Sequence, residues 1–341
     1  MNILLLTSHS IAEYDDLRML SDLGYDVFSI GAYTDPQNPT DDKRPALDLP
    51  YHADLAALCD VQRRLHAAHS TDHVIDWAKA DLHPDIVEWA DAIIVHHFVE
   101  SWIGGQWARI RHKRVIWRTC GQSNPNLERY MGSLEGLEIV RYSPREHAYD
   151  GFAGEDALIR FGKYPSDYGP WVGDIHAVGN VTQHMIERGD ATGYRFWLDA
   201  TRGLPVVPVG PGSIALGGLG ELSDEQMRDY LRRIRVYLYL GTIAAPYTLG
   251  LMEAMLSGVP VVSIGPKAFG LPDLFEGADI AGTSADDPAY ARQLLRDLLD
   301  DRPLADTGES SLHYLSEWQR QRAVDLFDVA TVGPQWKAYL G

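Results

Sequence analysis

The sequence predicts an α/β protein made of two Rossmann-like, doubly wound domains facing a central cleft. Short continuous apolar runs such as "NILLL" (Asn2 to Leu6) and "AIIV" (Ala92 to Val95) end in small or polar residues, as parallel strands buried on both faces do. Stretches with helical apolar spacing alternate with those runs. A length of 341 residues exceeds one ordinary domain and suggests two.

The first unit opens with the strand "NILLLTSH". The helix "AEYDDLRMLSDLGY" follows, with Leu17, Leu20 and Leu23 on one face and Gly24 at its end. "DVFSIGAY" completes a right-handed βαβ unit. The pattern repeats through "VIDWAKADLHPDIVEWADAIIVHHF", "WARIRHKRVIWRTCG", "LEIVRYS" and "DALIRFGKY", so residues 1–165 form the first domain. The Pro- and Gly-rich "PSDYGPWVGD" reads as a linker. A second alternating series, from "IHAVGNV" to "DPAYARQLLRDLLDD", places the second domain at residues 166–320, and the helical tail forms a third element at 321–341.

Thirty basic against 48 acidic residues give a formal charge of -18, which disfavours generic binding to nucleic acid or anionic membranes. Two basic runs, Arg109 to Arg118 and Arg228 to Arg235, are expected to be solvated faces balanced by nearby acids. Two cysteines, Cys59 and Cys120, fit a reducing cytoplasm, and neither a signal peptide nor a transmembrane run is expected. No D-x-D, H-E-x-x-H or P-loop pattern occurs, so neither a metal nor a cofactor is expected. The glycine-rich "GPGSIALGGLG" (Gly210 to Gly220) lacks the G-x-G-x-x-G pattern and reads as a flexible loop.

The stretch "APYTLGLMEAMLSGVPVVS" (Ala245 to Ser263) carries the chemistry. Thr248 is suited to cap a helix running from Leu249 to Ser257, which Gly258 and Pro260 stop. The helix start, Thr248, Leu249, Gly250 and Leu251, offers N–H groups and a positive dipole end to phosphate. Glu253, one turn further in, is placed to accept hydrogen bonds from ribose hydroxyls; an ordinary surface or capping carboxylate fits the spacing equally well.

The run "LGLMEAMLSGVPVV" resembles the donor-binding signature of GT-B glycosyltransferases of the GT4 type, glycosyl transferases group 1. Similarity extends through "AVGNV", "LSDEQMRDYLRRIRVYLYLGT", "GLPDLFEGADIAGTSADDPAYARQLLRDLLDD" with Pro272 and Asp273, and "TVGPQWKAYL"; it is looser in the first half. The resemblance implies a GT-B fold in which the second domain binds a nucleotide sugar and the first an acceptor, while the last helix packs back on the first domain. Glu253 would bind the ribose.

The family's E-x7-E motif is degenerate, because its first glutamate is replaced by Ala245. Gly179 and Asn180 fall on the donor-domain loop, Asn180 standing where the family has an arginine. Arg188 would replace the family's lysine as a diphosphate grip, an exposed helix arginine being the alternative, and Lys267 is a second cation. Arg118 stands where relatives carry a histidine facing the sugar. His97, or its neighbour His96, is an alternative for acceptor-side hydrogen bonding or general-base work. Ser8, His9 and Ser10 replace the glycine-rich loop of the acceptor side.

The implied activity is transfer of a sugar from a UDP- or GDP-linked donor to an acceptor hydroxyl, retaining and metal-independent. The nucleotide sugar serves as cosubstrate, and the acceptor is a small molecule, a glycan or a modified nucleic acid. Three alternatives stand beside it: a nucleotide-sugar 2-epimerase-like isomerase, a non-catalytic sugar-nucleotide binding module, and a transferase acting on hydroxymethylated DNA bases.

Overall fold

A computed structural model describes residues 1–7, 9–31, 33–34, 44–49, 52–59, 81–96, 99–121, 123–243, 245–265, 274, 284–302 and 311–341. The chain divides into two compact units, Met1–Lys163 with Val329–Gly341, and Tyr164–Asp328.

In the first unit, strands β1 (Asn2–Thr7), β2 (Asp26–Gly31), β3 (Ala92–Val95), β4 (Arg114–Arg118), β5 (Glu138–Arg141) and β6 (Ala157–Leu158) form a parallel sheet in the order β2-β1-β3-β4-β5-β6. Helices α1 (Ser10–Asp22), α2 (residues 53–59), α3 (Pro84–Trp89), α4 (Trp107–Ile110) and α5 (Pro125–Gly132) accompany it. The apolar strands are buried because their period of two feeds both faces. Leu4, Leu6, Ile93, Val95, Val115 and Trp117 join one core, with Ile86 and Val87 of α3; Ile3, Leu5, Ile94 and Ile116 join another, with Leu17 and Leu20 of α1. Each such side chain removed from water contributes about 1.5–3 kcal/mol.

The second unit has β7 (Ile175–Val181), α6 (Met185–Arg188), α7 (Tyr194–Ala200), β8 (Val206–Val209), α8 (Asp224–Arg233), β9 (Ile234–Tyr239), α9 (Leu249–Ser257), β10 (Val261–Ile264), β11 (Ser284–Ala285), α10 (Pro288–Leu299) and α11 (Ser311–Phe327). Its parallel strands run in the order β11-β10-β9-β7-β8. Ser223 and Gln226 form a capping box at the start of α8, and Gly258, at φ 82°, ends α9 in the left-handed conformation that glycine adopts without a Cβ penalty.

The tail divides later than residue 321. The α11 helix is bound to the second unit: the Gln319 side chain donates to Val261 O at 2.9 Å and accepts from Val261 N–H at 2.7 Å, as a neighbouring strand would. Val329 N–H then donates to Lys163 O at 2.9 Å, and α12 (Val329–Leu340) places Val332, Trp336 and Leu340 in the core of the first unit beside Ile3 and Leu5.

Candidate functional site

In an open parallel sheet, ligands bind outside the strand C-termini at the point where strand order reverses. In the second unit that point lies between β7, whose chain runs on to β8, and β9, on its other side. The α9 helix begins here. The Thr248 carbonyl accepts from the N–H groups of Leu251 at 3.1 Å and Met252 at 3.4 Å, so by helix geometry the N–H groups of Leu249 and Gly250 have no acceptor within the helix. Thr248 takes the cap position through its backbone alone, and its side chain makes no capping bond. Leu249 and Leu251 are buried, and the Leu251 N–H is taken by the Thr248 carbonyl. All of α9 except Gly250 is buried, including the small residues Ala254 and Ser257, because α11 packs against it. Glu253 is 6% exposed, and its charge is felt by Tyr237 of β9. Ala245 lies half-buried in the loop before α9, its N–H donating to Thr242 O at 3.0 Å.

Two glycines at this crevice differ in kind. A Cβ on Gly179 would lie 2.3 Å from Tyr230 Oη and 2.8 Å from Ile234 Cγ1, so the close packing of α8 and β9 demands glycine there. A Cβ on Gly250 would meet nothing closer than Val181 Cβ at 3.7 Å. Packing therefore permits a methyl group at Gly250, although glycine costs about 1 kcal/mol against alanine inside a helix.

Asn180 is 1% exposed and both ends of its amide are engaged inside the unit: Nδ2 donates to Leu238 O at 2.8 Å and Oδ1 accepts from Thr182 Oγ1. Arg188, on α6, is exposed and reaches Gln183 O at 3.4 Å. The loop before α6 turns through His184 at φ 50°, a sparsely populated backbone for a non-glycine residue. Gly210 to Gly220 form a closed loop, Gly210 N–H donating to Gly220 O at 2.7 Å and Gly220 N–H to Ser213 Oγ at 2.9 Å.

In the first unit the strand order reverses between β1 and β3. His9 caps α1, its Nδ1 accepting from Ala12 N–H at 3.4 Å, and Ser10 is the first helical residue; both are half-buried. Buried ionisable groups gather behind them. His96 Nε2 lies 3.0 Å from Asp16, Lys163 Nζ lies 2.6 Å from Asp15, and Glu13 accepts from Ser29 Oγ, Tyr33 N–H and Thr34 Oγ1 at 2.7–2.8 Å. Burial outweighs these bonds and pushes the Glu13 carboxyl up to about 7.

Arg118, which the resemblance turns toward the sugar, ends β4 inside the first unit. Its side chain is fully buried, the guanidinium 4.5 Å from the Phe161 ring and 5.2 Å from the Trp336 ring of α12, with Nη1 donating to Ile159 O. A strand-end arginine turned inward against two aromatic faces is a core cation of the first unit. Ser8, His97, Lys267, Pro272 and Asp273 lie outside the described residues.

The basic runs are largely paired. Arg109 meets Asp81, Lys113 and His112 meet Glu88, and Arg114 meets Glu138. Arg228 meets Asp224, Arg232 meets Asp229 and Arg233 meets Asp174. Among the described residues there is no metal-ligating cluster of His, Cys, Asp or Glu, and no helix is long and apolar enough to cross a membrane. Tyr230 and Tyr237, whose hydroxyls hold the end of β7, carry no local signal of that role in the sequence. The alternation "RVYLYL" signals a strand but not that Tyr237 touches Val181, and the helical "RDYLRR" does not announce that Tyr230 meets Asn180.

No protein-family model matches the chain, and no curated protein sequence does. Solved structures do. Sucrose-phosphate synthase from Thermosynechococcus elongatus matches with a TM-score of 0.64 and 14% identity over 100% of this chain and 98% of that one. Anabaena HepE in complex with UDP-glucose matches with a TM-score of 0.61 and 16% identity over 100% and 99% of the two chains. A glycosyltransferase from Rickettsia africae matches with a TM-score of 0.64 and 10% identity over 99% and 97%. What the chain shares with them is the fold, GT-B, with two Rossmann-like α/β units.

Proposed function

We propose that the chain is a glycosyltransferase that moves a sugar from a UDP- or GDP-linked donor to an acceptor hydroxyl, without a metal ion. The nucleotide end of the donor occupies the β7–β9 crevice of the second unit. The first-turn N–H groups of Leu249 and Gly250 bind the diphosphate, Arg188 adds positive charge, and Glu253 accepts from the ribose hydroxyls. These groups oppose the negative charge that develops on the diphosphate as the sugar–phosphate bond breaks and the acceptor oxygen takes the anomeric carbon. The first unit binds the acceptor at the end of β1, through His9 and Ser10. The reaction proceeds with retention, and the protein works in the cytoplasm.

Gly250 carries the assignment. It is a glycine that packing does not require, in the first turn of a buried helix at the switch point of a parallel sheet. The likeness to solved glycosyltransferases, one of them holding UDP-glucose, supports the same reading.

The absence of the first motif glutamate at Ala245 and the burial of Arg118 favour a second reading, a sugar-nucleotide binding module without turnover. A thermal-shift screen over UDP- and GDP-sugars, followed by assay of sugar release from each stabilising compound, separates the two. Stabilisation with turnover supports the transferase, stabilisation without release under any acceptor supports the module, and stabilisation by none contradicts both.

A further inference from the structure

The end of β7 is held in an unusual way. Along the β7–β9 ladder the last paired residues are Gly179 and Tyr237. Beyond them, two tyrosine hydroxyls receive the β7 backbone: Asn180 N–H donates to Tyr230 Oη at 3.1 Å and Val181 N–H to Tyr237 Oη at 3.0 Å. Both rings are buried. Tyr230 passes its own proton to Val207 O at 2.7 Å, on the β8 side. Tyr237 faces the other way, its Oη only 3.9 Å from the point where a Cβ of Gly250 would stand. One hydroxyl therefore holds the last residue of β7 and borders the space beside Gly250 in the first turn of α9. Burial, with the nearby charge of Glu253 adding to it, raises the Tyr237 phenol above its ordinary range.

We propose that Tyr237 is a positioning residue. Its hydroxyl fixes the gap between the Val181 backbone and the first turn of α9, and so sets how tightly a nucleoside diphosphate is held there. This rests on the nucleotide assignment made above. The half-buried Val181 N–H, on losing its acceptor, must find another or pull the strand end away, and either movement misplaces the N–H groups of Leu249 and Gly250 relative to the phosphates.

The test compares Tyr237→Phe with Tyr230→Phe, each keeping its ring and losing one hydroxyl. Melting temperature and calorimetric affinity for UDP and for GDP are measured on the full chain. Both variants are expected to lose melting temperature, but only Tyr237→Phe weakens the nucleoside diphosphate, by about tenfold, as the loss of one hydrogen bond predicts. Val181→Pro removes the donor instead of the acceptor, is expected to give the same fall, and decides the matter if Tyr237→Phe does not fold. Unchanged affinity in Tyr237→Phe, or equal weakening in both tyrosine variants, overturns the positioning role. Wild-type protein that binds neither nucleotide overturns the nucleotide assignment, and this inference with it.

Discussion

A methyl group on Gly250 would stand 3.7 Å from Val181 Cβ, an ordinary van der Waals contact. Gly250→Ala should therefore leave the melting temperature unchanged or raise it, since alanine is favoured over glycine in a helix by up to about 1 kcal/mol. If phosphate approaches the backbone at this point, the same methyl weakens nucleotide binding by about tenfold or more. Thermal melting paired with calorimetry checks both halves. A stabilised variant with full affinity would show that glycine is not needed by the ligand.

Gly179→Ala should do the opposite. Its Cβ would collide with Tyr230 Oη and Ile234 Cγ1, and forcing such overpacking costs about 1–3 kcal/mol. A lowered urea midpoint is expected; wild-type stability would mean that α8 shifts freely.

Arg118→Ala should destabilise the first unit by about 2 kcal/mol or more, because it removes a buried cation from between Phe161 and Trp336 and frees space against α12. Denaturant unfolding measures the loss. An Arg118→Ala protein of wild-type stability but reduced turnover would return this residue to the reacting centre.

Glu13 should give the chain a pH-dependent stability. Its carboxyl is raised from 4.5 to about 7 in the fold, chiefly by burial. The folded chain therefore holds the proton more tightly than the unfolded one. The contribution is complete below about pH 4.5 and declines as pH rises to about 7, by roughly 3 kcal/mol in all. Unfolding free energies of wild type and Glu13→Gln measured from pH 4.5 to 7.5 should diverge by about that amount across the window. A difference constant with pH would mean that the Ser29, Tyr33 and Thr34 bonds hold Glu13 near its ordinary value.

The strands and α9 were legible because their signals are local: continuous apolar runs, Thr248 before the helix and Gly258 after it. Long-range relationships were not. Nothing near Arg118 in sequence announces Trp336, 218 positions away by residue number, as the face it packs on. The tail reads as continuous helix, and its division at Asp328 depends on Gln319 meeting Val261 and Val329 meeting Lys163. At the site, the motif residues Thr248 to Glu253 could be found by pattern, whereas Tyr237 could not, since its hydroxyl acts on a residue 56 positions earlier. Asn180 and Gly179 have the right address in the sequence, but packing and internal hydrogen bonds engage both.

Calorimetric titration of UDP and GDP into the wild-type chain and into Glu253→Ala measures whether the α9 crevice holds a nucleotide through this carboxylate. The wild type is expected to bind one of them at a single site, and removal of the carboxylate opposite the ribose to weaken that binding by about tenfold or more. Binding of neither nucleotide, or an affinity indifferent to Glu253, would contradict the ribose role of this residue.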